Sequence, residues 1–539
     1  MVDGQLTRRT LLRLAAGAAA APSLGALVAA CQGAAPTTAP PSGGTVSLAL
    51  SAAPKVLNPP IHTFAVESTV ISLLMPGLLR MNAAGALEPD LARRYDVDPT
   101  GMTYRFQLRP GLVWEDGAPL TSRDFLFTYQ TYVDPRTRAA YLTGWDKIDR
   151  VETPDDTTIV VHMRETYAPF LSGIGTSSIL PEHVLSGVTN MAEAPFNRSP
   201  VGSGPFKLTA WTATEIVLEA NDRYWRGRPR LDRFVFKVVP DATTQVNQLQ
   251  AGEVDIVRVP PELWNRVRTM SGVRGVHYHD TTYVLVQLDE YDFLREIPVR
   301  QALDLATPKQ DIIGGVLRGL AAPATADVPP GSPYFNSQVR PRPYDPAGAR
   351  KLLAQAGFAM RDGVMSRDGR PLEVPIYTIS TSPTYVQVAQ VLKERWSKIG
   401  VRTEVVTMEQ SALFSDQGPQ WNGRDAALVF GWGQGTDPYN YVNWSSQQIP
   451  NGQHDPGENT ERYRNARIDE LVVRGVQVAS LDDRRRIYDE IQAILQREVP
   501  VLFLYWPDAL YAVSTRVHGF QPNAFSGLFL DVHTWTRGA

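Results

Sequence analysis

Apolar and polar residues alternate at the two-residue period of a strand in the first half of the chain. Residues 45–50 make one short strand, broken by Leu57-Asn58-Pro59-Pro60 before a helix expected from about Ser68. Residues 104–108 (Tyr-Arg-Phe-Gln-Leu) alternate again and stop at Arg109-Pro110-Gly111, a strand followed by a turn. Thr121 with Asp124 three residues on forms a helix-start signature ahead of 125–132. Residues 156–163 and 231–239 predict further strands, 201–208 a glycine-rich turn running into another, and 243–251 a helix.

The second half has a different texture. The segments 298–319, 346–357 and 383–400 are each opened by proline and closed by glycine, the expected asymmetry of helix ends. Residues 482–498 predict one more helix, followed by an apolar strand at 501–504. Strands and helices mixed without strict alternation predict an α/β architecture of several lobes.

Ahead of all this lies a leader with a basic start, Thr7-Arg8-Arg9-Thr10-Leu11-Leu12-Arg13, and an apolar stretch ending Val28-Ala29-Ala30-Cys31. An apolar run of about 15 residues suits a secretory signal, not a spanning helix, and the paired arginines add a twin-arginine export reading. Cys31 is the only cysteine. Residues 1–30 are read as the signal and 31–44, rich in Gly, Ala, Pro, Thr and Ser, as a flexible tether. The leader contributes +2 through Arg8, Arg9 and Arg13 against Asp3, so the remainder carries about −5 of the chain's formal charge of −3, which gives no general attraction to nucleic acid. No later run approaches the roughly 20 apolar residues a membrane span needs. A body this long exceeds one core, so two or three domains are expected.

Several segments in order resemble the family 5 extracellular solute-binding proteins, the peptide, oligopeptide and nickel receptors of ABC importers. They are 104–133, Gly202-Ser203-Gly204-Pro205-Phe206-Lys207-Leu208, Asn221-Asp222-Arg223-Tyr224-Trp225, 249–256, 299–303, 344–358 and Val499-Pro500-Val501-Leu502. Val28-Ala29-Ala30-Cys31 is similar to the bacterial lipoprotein box, which makes Cys31 a lipidated first residue of the mature protein. The resemblance implies a periplasmic-binding-protein-like fold (type II, cluster C) with two large lobes, a hinge and an extra inserted domain. Lobe I would comprise 45–73, 198–275 and 501–539, the inserted domain 74–197, and lobe III 276–500. It further implies a monomeric substrate-binding component that captures a small oligomeric solute, a peptide or oligosaccharide, by hinge closure. Such a component delivers the solute to ABC permease and ATPase subunits from an extracytoplasmic, lipid-anchored position. No cofactor is implied.

The richest candidate reading surface is Gln420-Trp421-Asn422-Gly423 with the stretch from Phe430 to Trp444, where aromatics, amides and glycines interleave. Peptide-binding relatives place a Trp at the start of this loop and, three residues on, an Asp that holds the peptide's ammonium. Trp432 matches the Trp, but the third residue on is Gly435. Asp437, beside Pro438, offers either an anchor shifted by two residues or the family's structural Asp-Pro. Gln410 stands where oligopeptide-binding relatives offer a Trp, and Thr63, next to Phe64, where they carry an acidic residue. Fewer charged anchors favour a neutral, hydroxyl-rich or amide-rich ligand. The expected ligand-contacting set is thus Trp432, Asp437, Tyr439, Tyr441, Trp444, Trp421, Gln410, Thr63 and Phe64.

Catalytic signatures are missing: there is no Gly-x-Ser-x-Gly elbow, His-Glu-x-x-His helix or phosphate-cradling loop. His277 and His279 bracket Tyr278 at strand spacing, so both rings can face one way; without a third ligand nearby they read as solvated strand residues before a metal site. A lipid-anchored hydrolase and a ligand sensor for a membrane partner are the alternatives to a transport receptor.

Overall fold

The computed structural model describes residues 43–539 except 141, 143, 289–291, 416–417, 423–426, 436, 451–456, 479 and 539. Cys31, the leader and most of the tether lie outside the described residues. Helix starts follow the local chemistry. Thr121 caps Ser122–Val133, its hydroxyl accepting from the Arg123 N–H while Asp124 accepts back from the Thr121 N–H at 2.8 Å. Asp345 and Ser382 cap Pro346–Gln355 and Pro383–Ser397, each with proline in the first turn. The segment expected as one helix over 298–319 is broken instead. Ile297–Leu305 stops ahead of Pro308, whose ring and missing N–H oppose continuation, and only a short turn and a wide turn, Ile312–Val316, follow.

Among the described residues the main sheet has twelve strands. One half runs Val405–Met408, Ile376–Ile379, Ala427–Gly433 and Thr282–Leu288; the other runs Ile256–Arg258, Thr45–Leu50, Arg233–Val238, Glu215–Ala220 and Phe206–Trp211. The 14-residue strand Val501–Ser514 joins them. The expected strand at 501–504 is thus only its beginning. Its early residues pair with Thr282–Leu288 and its later ones with Val273–His279, both antiparallel. The chain therefore passes between the halves twice, at Asp280-Thr281 and at Trp506-Pro507, and these crossings lie side by side, with the Asp280 N–H donating to the Pro507 carbonyl at 2.9 Å. Two adjacent crossings are the physical form of a hinge.

Each half has a core on both faces of its sheet. Val46, Leu48, Phe206, Ile216 and Phe234 pack on one face of the first half, and Leu249, Val257, Trp264 and Leu510 on the other. In the second half Val286, Leu303, Ile376 and Trp396 fill one face, and Phe430, Tyr488, Ile491 and Phe503 the other. Burial on both faces explains why Val501–Ser514 reads as an almost unbroken apolar run.

A third core surrounds a four-stranded antiparallel sheet, Ala92–Val97, Thr103–Leu108, Thr158–Met163 and Ile148–Asp155, around Phe106, Phe125 and Phe170. Leu180, Leu185, Met191 and Phe196, counted with this inserted segment on sequence grounds, pack into the first half's core beside Val70 and Leu74. No helix among the described residues is long and apolar enough to cross a membrane.

Candidate functional site

A cavity of about 520 Å³ opens where the two halves of the sheet meet, within the size range of small-molecule sites. From the first half come the end of Thr45–Leu50, Ser51, and Ala65, Val66 and Thr69 of the helix Ala65–Leu74. The second half supplies Leu317 with Ser382, Thr384 and Tyr385 at the start of Pro383–Ser397. Between them runs the crossing strand, presenting Tyr505, Pro507, Asp508, Leu510 and Tyr511. Helix Ala65–Leu74 begins three residues before the expected start near Ser68 because Glu67 organises the loop before it. The buried Glu67 carboxylate accepts the backbone N–H groups of Lys55, Val56, Thr63 and Phe64 at 2.9 to 3.2 Å, four donors on one side chain.

The crossing carries a compact charge cluster. Asp508, its side chain 4% exposed, takes the Nδ1 of His279 on one oxygen at 2.6 Å and that of His277 on the other at 2.9 Å. The hydrogen bond to Asp508 holds His279 above the usual imidazole range. Burial pushes Asp508 upward, but its two imidazole partners outweigh that and hold it below the usual carboxylate range. The two histidines do share a face, and both ring Nδ1 atoms are engaged by one carboxylate. Among the described residues no group of three or more His, Cys, Asp or Glu is arranged to hold a metal ion. Nearby, Arg258 pairs with Asp280 at 3.2 Å. Burial raises the Tyr385 and Tyr505 phenols, so both remain protonated donors at neutral pH, and the buried Tyr505 hydroxyl has no hydrogen-bond partner.

The loop singled out by composition has other engagements. Trp432, half-buried near the end of Ala427–Gly433, pairs across the sheet with Tyr283 and lies edge-on to Phe430 at 5.8 Å. A Cβ at its neighbour Gly431 would stand 2.7 Å from the Tyr385 hydroxyl, so that side chain would have to shift to admit one. Asp437 is not a free anchor: Arg484 grips both carboxylate oxygens, at 2.5 and 2.7 Å. Burial opposes the Arg484 cation, yet the bonds and charge of Asp437 more than offset it and raise its pKa. Trp444, expected as a stacking surface, is a core residue 2% exposed, its indole N–H donating to Asp327 at 2.7 Å beside Tyr463 and Phe503. The short helix Tyr441–Trp444 turns it inward, and Asp327 satisfies its one polar atom.

The rest of the expected set is dispersed. Tyr439 meets Tyr167 of the inserted segment edge-on at 5.8 Å, and the Tyr441 hydroxyl donates to Gln447. The Trp421 carbonyl accepts from Arg462, and the exposed Gln410 opens the short helix Gln410–Leu413. Thr63 and Phe64 are exposed on the loop held by Glu67, with the Lys55 ammonium 5.0 Å from the Phe64 ring centroid. None of these nine side chains lines the crossing cavity. The residues that do, Ser51, Thr69, Arg258, Ser382, Tyr385, Tyr505 and Asp508, were missed because each is ordinary in its own stretch of chain. The one available signal was the polar interruption Trp506-Pro507-Asp508 inside an apolar run.

Comparison with known proteins agrees with this architecture. The family model described as bacterial extracellular solute-binding proteins, family 5 Middle, matches residues 86–453. The chain is 27% identical over 506 residues to the oligopeptide-binding protein AppA of Bacillus subtilis (strain 168), covering 92% of each chain. It is 28% identical over 479 residues to heme-binding protein A of Haemophilus influenzae, covering 83% of this chain and 84% of that one. The structure of B. subtilis AppA in complex with a nonapeptide superposes with a TM-score of 0.77 at 26% identity, over 93% of this chain and 100% of that one. The substrate-binding protein CtaP of Listeria monocytogenes, at 24% identity and a TM-score of 0.82 over 92% of this chain and 99% of that one, shares the fold. A two-crossing hinge with a cavity beside it, together with a family match through most of the chain's length, makes the assignment plain: the chain belongs to family 5 of the bacterial extracellular solute-binding proteins.

Proposed function

We propose that this protein is the receptor of an ABC importer, capturing a peptide or a similarly sized oligosaccharide at the crossing between its lobes and passing it to a permease and its ATPase subunits. The observation that carries the reading is the cavity of about 520 Å³ walled by both halves of the sheet and by the strand that joins them. A solute held there contacts both halves at once, so its binding favours the shut arrangement. Relatives named for oligopeptides and for heme support a solute of this size.

The cavity's charge pattern narrows the chemistry. Asp508, the one carboxylate among its described lining residues, is engaged by two imidazoles, and Asp437 is held by Arg484. A free ammonium therefore has no dedicated anchor there, and the solute is held through apolar surface and hydroxyl donors such as Tyr385 and Tyr505. Calorimetry with tri- to nonapeptides, each with a free and an acetylated N-terminus, and with oligosaccharides tests this. Acetylation should change affinity by less than about threefold; a loss beyond about a hundredfold, roughly 2.7 kcal/mol, would restore an amine anchor. Replacing the exposed cavity residue Ser51 (Ser51→Trp) should abolish binding of every solute without lowering the melting temperature. Retained affinity would remove the cavity from the reading, and a solute converted to product would sink the receptor role.

The address completes the proposal. Cys31 carries the lipid anchor, residues 31–44 are the tether, and a monomeric receptor docks on its permease from the extracytoplasmic face of the membrane. Cys31→Ser should move the protein from the membrane fraction to the soluble one; unchanged fractionation argues against lipidation.

A further inference from the structure

The inserted domain, with its core around Phe106 and Phe170, touches both halves of the molecule, and the two contacts differ in kind. Toward the first half it is fastened by backbone. The Glu115 N–H donates to the Gly202 carbonyl at 2.9 Å, and the Glu115 carboxylate accepts the Gly202 N–H at 3.0 Å. Side chains add to this: the Trp225 indole N–H donates to the Asp90 carboxylate at 3.0 Å, and Arg80 pairs with Asp531 at 2.7 Å. The inserted domain therefore travels with the first half. Any contact it makes with the second half must break when the cleft opens.

Such a contact is present, and it is built from the loop that sequence reasoning assigned to the solute. Tyr439 lies edge-on to Tyr167 and packs against the inserted domain's core cluster. The Ser172 hydroxyl donates to Asp437 at 3.4 Å, and the Ala168 N–H donates to the Val476 carbonyl at 2.7 Å. Arg484 ties the second half's side of this edge together. While gripping Asp437 it donates through Nε to the Gly475 carbonyl at 2.8 Å, next to the carbonyl that receives Ala168, and through Nη1 to the Tyr334 hydroxyl at 2.6 Å. The docking edge is thus held in shape by a buried cation before the inserted domain arrives, so little ordering remains to be done on contact.

We infer that Tyr439 and Asp437 are positioning residues for capture: they seat the second half on the inserted domain when the cleft shuts, and they set the population of the shut state without touching the solute. The inference rests on capture in the crossing cavity. Its consequence is specific. A closure contact outside the solute's reach stabilises every complex by the same factor, because it acts on the open–shut equilibrium alone. A solute contact discriminates between solutes.

The test uses the chain with Cys31→Ser, labelled through cysteines placed at the exposed Asp149 of the inserted domain and the exposed Glu470 of the second half, to read the distance between them. Tyr439→Ala should lower affinity for short and long peptides alike by about tenfold, through faster dissociation, and shift the label distances outward. Tyr439→Phe should restore both, since the contact is the ring. Losses differing more than about threefold between solutes, or unchanged distances in Tyr439→Ala, would overturn the inference. The ligand-free distances read the contact even where no tested solute binds, so its failure is separable from that of the proposed function, which Ser51→Trp addresses.

Discussion

The crossing cavity and the loop from 432 to 444 differ most in what their polar groups are already doing. In the loop several are engaged by protein: Asp437 by Arg484, the Trp444 indole and Asn440 amide N–H by Asp327, Asn443 by Glu458 and Tyr441 by Gln447. The cavity, lined mainly by apolar residues with a few hydroxyls, leaves the Tyr505 hydroxyl unbonded. Interleaved aromatics and amides suit a solute and a well-satisfied protein interior equally. Composition reports the capacity to bond, and only the fold reports whether that capacity has been used.

The comparison breaks most sharply at Trp444. As a core residue its replacement by alanine should cost about 3–5 kcal/mol of stability, read as a lower urea midpoint. A solute-stacking Trp444 would lose affinity with stability intact. The Glu115 fastening sharpens the loop's side, because the inserted domain is the loop's docking partner. Burial pushes the Glu115 carboxyl up to about 7 from 4.5. Between those values the folded protein holds a proton that the unfolded chain has released, so stability falls as pH rises through that window. Glu115→Gln should flatten this loss, which is on the order of 1–3 kcal/mol for a half-buried group, as seen in melting curves at pH 5 and pH 8. Equal pH dependence in the two proteins would remove Glu115 from the account.

The smallest effect belongs to the histidine paired with the cavity residue Asp508. His279 has a folded pKa raised by Asp508, so its contribution to stability is full below the unfolded value of about 6.5 and is lost as pH rises through the raised value. Asp508, held below its usual range, stays ionised across this window. His279→Asn should therefore destabilise the protein more at pH 6 than at pH 9, by under ~1 kcal/mol because the ring is partly solvated. A penalty that grows with pH would mean the pair is not charged as described.

Much of the architecture was legible because its causes are local. The capping box at Thr121 and Asp124, the proline-opened helices at 346 and 383 and the two-residue alternation at 45–50 appear where their residues dictate. The reading fell short where a proline or a distant pairing decided. Pro308 split an expected helix, and the strand expected over 501–504 runs on through Pro507 to Ser514, changing partner near that proline.

By itself the sequence determined the family, the mixed α/β fold, the helix boundaries set by caps and prolines, and the missing acidic residue three positions after Trp432. Each depends on residue types and their spacing, which survive without coordinates. Tertiary structure alone decided that Asp437 belongs to Arg484, that Trp444 belongs to the core, and that the cavity is walled by residues as distant in sequence as Ser51, Tyr385 and Tyr505. Those outcomes depend on which chain segment arrives opposite each side chain, and burial then makes every unmet hydrogen bond costly enough to fix the choice.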